Sequence, residues 1–131
     1  MTTAIEAATL YAGLFLLLFL ALKVNVGRVR VGEKVNLGDG GNDKVVRAIR
    51  AQGNAVEDVP ITLIGLYGVA FSGGAIWFVH LIGSLFILGR VLHAVGINQM
   101  KGLEFGRTVG TLISVLSLLA TAIACIWLAV S

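Results

Sequence analysis

Apolar positions fall into four stretches of two kinds. Residues 5–22 and 107–130 are long apolar runs, whereas residues 59–72 and 75–89 are uncharged but short and are joined by the turn Ser72-Gly73-Gly74. A hydrocarbon core about 30 Å thick needs roughly 20 helical residues. The short stretches reach that length only by drawing in polar residues, with Arg50, Asn54 and Glu57 ahead of the first and Arg90 and His93 after the second. The pattern predicts helices over 5–22, 45–72, 75–97 and 107–130, an all-α four-helix transmembrane bundle forming one domain over 1–131.

Turn formers and helix breakers sharpen this picture. The connection 23–44 ends in Leu37-Gly38-Asp39-Gly40-Gly41-Asn42-Asp43, which cannot continue a helix. Asn42 or Asp43 is then the N-cap of the second helix. Pro60 lies inside that helix, where its ring removes a hydrogen bond to the Val56 carbonyl and bends the chain next to the polar residues. Glycine recurs within the predicted spans, and Gly106 with Gly110 forms a small-xxx-small pair that signals tight packing, within a bundle or between bundles.

On a helix advancing about 100° per residue, Arg47, Arg50, Asn54 and Glu57 lie within about 80° of arc. Arg90 and His93, three apart, share a face of the third helix. Ionisable groups at membrane depth mark a functional site by default. The arginines lie toward one end and Glu57 lies deepest, which suits a zwitterionic ligand with more than one carboxylate and an amine. Simple neutralisation of Arg50 by Glu57 is the blander reading, and buried ion pairs are poor stabilisers against apolar replacements. Arg47 fits the stripe and equally a snorkelling side chain. Arg90 reads first as a helix-end anchor, Asp58 as a border residue available to a neighbouring helix, and His80 as an interfacial histidine.

Composition agrees with a membrane protein: of 131 residues, 57% are hydrophobic and only 13% charged. The net charge of +3 does not point to nucleic acid, because the ten basic residues all lie in or beside two connections: Lys23, Arg28, Arg30, Lys34, Lys44, Arg47, Arg50, Arg90, Lys101 and Arg107. The positive-inside rule then makes those connections cytoplasmic and puts both termini on the other side. Without a basic residue before Glu6 or a cleavage site after Leu22, the first run reads as a retained span. The single cysteine, Cys125, excludes an internal disulfide and a multi-cysteine metal site, and its mid-span position reads as apolar packing.

The stretch Arg47-Ala48-Ile49-Arg50-Ala51-Gln52-Gly53-Asn54-Ala55-Val56-Glu57-Asp58-Val59-Pro60 resembles the Arg-Ala-x-x-x-x-x-Asn-x-x-Glu-x-x-Pro signature of MAPEG, the membrane-associated proteins in eicosanoid and glutathione metabolism. Gly89-Arg90-Val91-Leu92-His93 is similar to that family's third-helix segment, and Gly38-Asp39-Gly40-Gly41 to its small bacterial branch. The resemblance implies a homotrimer in the inner membrane, with glutathione as co-substrate bound between subunits on the cytoplasmic side. Arg50, Asn54 and Glu57 are then expected to hold the peptide, Glu57 taking the glutamyl amine. Gln52 and His93 line the site, and Arg30, with Arg28 as fallback, supplies a further basic ligand. Arg107 is the expected catalytic residue beside the thiol. A cation favours the thiolate, the nucleophilic form of a thiol whose free pKa is about 8.5.

The implied activity is transfer of glutathione to lipophilic electrophiles or reduction of hydroperoxides. Ile97 stands where many enzymatic relatives carry a tyrosine, which keeps a non-catalytic glutathione- or lipid-binding scaffold in view. A third reading is a small proton-coupled exporter using Glu57 as its membrane carboxylate.

Overall fold

The computed structural model describes residues 3–98 and 104–131. Four helices follow in order, α1 (Ala4–Glu33), α2 (Asp43–Phe71), α3 (Ile76–Asn98) and α4 (Glu104–Val130), with no strand among the described residues. Three of them, α1, α3 and α4, are long and apolar enough to cross a membrane. The more polar α2 is tied to α3 by a short turn in which Gly73 adopts a positive φ of 82°, and the two run antiparallel side by side. Helices α2 and α3 touch each other, α1 leans on both and α4 leans on both, while α1 and α4 do not meet among the described residues.

The helix count matches the hydropathy pattern, but two boundaries move by three residues or more. The expected first helix ends at residue 22, whereas α1 continues to Glu33. The reason is that charge at Lys23 marks the edge of the hydrocarbon core without breaking a helix, and residues 23–33 hold no proline. Termination comes at Lys34, which takes a left-handed conformation (φ 58°) and donates its N–H to the Arg30 and Val31 carbonyls. Glu33 then accepts hydrogen bonds from Asn42 Nδ2 at 2.8 Å and Lys44 Nζ at 2.6 Å, fastening the end of α1 to the start of α2. Asn42 is the N-cap of α2, its side chain accepting from the N–H groups of Lys44 and Val45. The fourth helix begins at Glu104, not at residue 107, so Arg107 lies within its first turn. Lys101, counted above with the third connection, lies outside the described residues.

Two apolar clusters fill the bundle. Phe15 and Phe86, both fully buried with ring centroids 5.3 Å apart, centre one with Tyr11, Leu22, Ala51, Ala55, Val59 and Ala94. The other, nearer the α2–α3 turn, joins Ala7 and Ala8 to Leu66, Val69, Val79 and Ile82. His80, expected at an interface, belongs to an α1–α3 contact: the Tyr11 hydroxyl lies 3.2 Å from His80 Nδ1, 3.0 Å from its carbonyl oxygen and 2.6 Å from Ser84 Oγ.

Helix α4 meets its neighbours through small residues. Ser114, Ser117 and Thr121 are buried, each returning its hydroxyl proton to the carbonyl four residues back at 2.8 Å. Polar side chains satisfied in this way can face protein inside a membrane without an unpaired donor. Gly106 and Gly110 serve packing within the bundle: Gly106 lies over Leu92 and Gly96, and Gly110 over Gly89 and His93. Cys125 is half-buried and donates to the Gly65 carbonyl oxygen at 3.3 Å, the packing role expected of it.

Candidate functional site

Depth follows from helix geometry. Glu57 stands fifteen residues before Ser72, which at 1.5 Å per residue puts it about 22 Å from the turn. Arg90, fourteen residues after Ile76, lies about 21 Å from the same end. Measured from the α2–α3 turn, the two therefore lie at similar distances along the bundle.

The α2 stripe divides between two surroundings. Arg50 and Glu57 are exposed on the outside of the bundle, and no hydrogen bond or salt bridge engages either one among the described residues. Asn54 and Asp58 turn toward α3. Asn54 Nδ2 lies 3.4 Å from His93 Nε2, and Asp58 Oδ2 accepts from Arg90 Nη1 at 2.9 Å. Arg47 is half-buried two turns before Asn54. Pro60 stays within the helix, and Thr62 Oγ1 donates to the Asp58 carbonyl beside it at 2.8 Å.

Arg90 departs from the helix-end anchor expected of it. Its side chain is only 3% exposed and reaches sideways to Asp58. Asp58 and Arg90 are each sixteen residues from Gly74, so an antiparallel hairpin folded about that glycine aligns them. The same arithmetic sets Asn54 near His93. Equidistance from the turn was thus the available signal for both pairs, and the face-by-face reading of single helices did not use it.

Two buried donors remain open. Arg90 Nε and His93 Nδ1 lack a hydrogen-bond partner among the described residues. With the Asn54 amide donating to Nε2, the His93 proton resides on Nδ1, so both orphan atoms are N–H groups. Unpaired buried donors are costly.

Arg107 approaches this group from α4. It is exposed, one turn before Gly110, whose bare Cα lies against the backbone of His93. The fields of Arg90 and Arg107 both reach the His93 ring. The close α3–α4 crossing thus puts the expected thiol-side arginine near the α2–α3 cluster.

The other expected ligand residues stand apart from this group. Arg30 is in the last turn of α1, donates from Nη1 to the Asn36 carbonyl at 3.3 Å, and lines an open recess with Gly27, Val31, Lys34, Val35 and Asn36. Arg28 Nη2 is engaged by Asn25 Oδ1 at 3.0 Å. Gln52 is half-buried, about 140° around α2 from Glu57. Ile97 is half-buried and packs onto the apolar cluster around Phe15 and Phe86. The tyrosines, Tyr11 and Tyr67, bond to His80, Ser84 and Thr9 near the opposite end of the bundle.

Fold and site together define a membrane-embedded four-helix bundle with ionisable side chains set into its spans. The chain belongs to the MAPEG family, whose model matches residues 8–127. It is 36% identical over 92 residues to the Inner membrane protein YecN of Escherichia coli, with 70% of each chain covered, and equally to the protein of that name in a second strain. It is also 29% identical over 120 residues to the Uncharacterized protein sll1147 of Synechocystis sp., covering 90% of this chain and 87% of that one. No solved structure matches the chain at a significant level.

Proposed function

We propose that the protein is a glutathione-dependent transferase or peroxidase of the inner membrane, acting on lipophilic electrophiles or hydroperoxides as a homotrimer. The observation that carries this reading is the outward, unpaired placement of Arg50 and Glu57 on one face of α2. A carboxylate at that depth does not face lipid hydrocarbon at equilibrium; it borders protein, water or a polar ligand. A neighbouring copy covering this face supplies the protein, and a zwitterionic peptide supplies the counter-charges. Glutathione, with one ammonium and two carboxylates, complements a carboxylate flanked by arginines.

In this reading Glu57 takes the ammonium and Arg50 a carboxylate. Asn54 and His93 position the peptide, Arg107 favours the thiolate, and Arg30 and Gln52 contribute from an adjoining subunit's surface. The thiolate attacks an electrophilic carbon, and the leaving group departs with its electron pair. With a hydroperoxide, two thiols end as one disulfide while the peroxide becomes alcohol and water. Basic connections on the cytoplasmic side give the cofactor access from the cytosol, with both termini opposite. The inner-membrane assignment is supported by the name of the Escherichia coli relative.

Titration calorimetry with detergent-purified protein tests the reading. Glutathione is expected to bind the wild type and to lose on the order of tenfold or more in affinity in Glu57→Ala and in Arg50→Ala, since each removes a charge-assisted hydrogen bond. Absence of binding to the wild type rejects the reading. Ile97, packed as core, with the Tyr11 hydroxyl engaged by His80 and Ser84, favours a second reading, a glutathione-binding scaffold without turnover. Binding with no conjugation or peroxide reduction across several substrates is its signature.

A further inference from the structure

We infer that Asp58 is a positioning residue for Glu57: by holding the Arg90 guanidinium, it keeps the adjacent Glu57 carboxylate free for a ligand ammonium group. The inference rests on the glutathione reading and adds to it a residue outside the expected ligand set.

Three observations support it. Glu57 and Asp58 are neighbours in sequence but about 100° apart around α2, so Asp58 meets α3 while Glu57 is exposed on the outer surface. Arg90 is almost wholly buried, and among the described residues its ion pair is to Asp58 Oδ2, at 2.9 Å. The Arg90 guanidinium also lies in the field of Glu57, after that of Asp58.

A buried guanidinium in a membrane span requires a counter-charge. Asp58 supplies it from inside the bundle, and the local set of two carboxylates and one guanidinium keeps one negative charge in excess. That excess sits on the exposed member, Glu57, where it attracts a cation. With Asp58 uncharged, Glu57 is the remaining carboxylate among the described residues whose field reaches Arg90. An ammonium ligand then competes with an internal guanidinium, and the local set is neutral. Hairpin register is what permits the division of labour, because Asp58, and not Glu57, lies level with Arg90 on the inward side.

The test compares glutathione with its desamino analogue, glutaryl-cysteinylglycine, which differs only in lacking the amine. The ratio of the two affinities reads the ammonium contact alone, and a general loosening of the site weakens both ligands alike. Wild type is expected to prefer glutathione. Asp58→Asn should reduce that preference on the order of tenfold, the size of one charge-assisted hydrogen bond. The double variant Asp58→Asn/Arg90→Gln removes the competing cation and should restore it. Arg90→Gln alone should retain it in full.

An unchanged preference in folded Asp58→Asn overturns the inference while leaving the glutathione reading intact. If Asp58→Asn does not fold, the other two variants decide: loss of the preference in either also overturns it. Wild type that binds neither peptide rejects the glutathione reading and this inference together.

Discussion

The ring of Tyr11 lies flat against the bare Cα of Gly83, where a methyl group would overlap its Cγ, Cδ2 and Cε2 atoms. This contact brings α1 close enough to α3 for the Tyr11 hydroxyl to reach His80 and Ser84. Gly83→Ala forces the helices apart and is expected to destabilise the bundle by about 1–3 kcal/mol, the usual cost of overpacking. Tyr11→Phe keeps the shape and removes only the hydrogen bonds, for which about 0.6 kcal/mol is typical within membranes. Thermal unfolding in detergent should rank the two in that order; equal effects would mean that the polar contact, not the close approach, holds α1.

A second close approach bears on the site. A Cβ on Gly110 would come within 2.5 Å of the Gly89 oxygen and the His93 nitrogen, both backbone atoms that cannot swing aside. Gly110→Ala should therefore displace α4 from α3, carrying Arg107 away from His93. The expected outcome is a stability loss of about 1–3 kcal/mol, with turnover falling more than glutathione affinity, because the α2 ligands remain in place. A variant as active as wild type would remove Arg107 from the catalytic role.

Gly53 presents the opposite case. It lies between Arg50 and Glu57 on the polar side of α2, and nothing stands within 4 Å of where its Cβ would be. Gly53→Ala should stabilise the helix by about 0.5–1 kcal/mol through propensity alone. Glutathione affinity should fall several-fold, because the methyl group enters the space beside the ligand. Matched unfolding and calorimetry measurements check both signs.

The role assigned to Arg107 can be read spectroscopically. With the arginine present, the bound thiol should ionise below the free value of about 8.5 and show thiolate absorbance at neutral pH. In Arg107→Gln the titration midpoint should rise toward the free value, so that absorbance at neutral pH is lost and regained only on raising the pH. An unshifted midpoint would assign activation to another group.

Much of the architecture was legible because a bilayer imposes lengths on apolar runs. The four helices, the Ser72-Gly73-Gly74 turn, the Asn42 cap and the polar face of α2 follow from periodicity and local chemistry, which depend on near neighbours in the chain. The MAPEG signature likewise lies within one contiguous stretch. The end of α1 was misread for a complementary reason: the sequence marks where hydrocarbon stops, and a helix extends as far as its backbone is capped, here to Glu33.

Which residues of the polar face look inward was decided by tertiary structure. By itself the sequence determined that Arg47, Arg50, Asn54 and Glu57 lie along one side of α2 with Asp58 at its border, and that Arg90 and His93 share a face of α3. Only the antiparallel hairpin sets Asp58 against Arg90 and Asn54 against His93, leaving Arg50 and Glu57 outside. The physical reason is that helical periodicity fixes angles within one helix, whereas register and rotation between helices are fixed by where small residues let backbones approach. Tyr11 on Gly83 and Gly110 on Gly89 are such points, and their partners lie far apart in the chain.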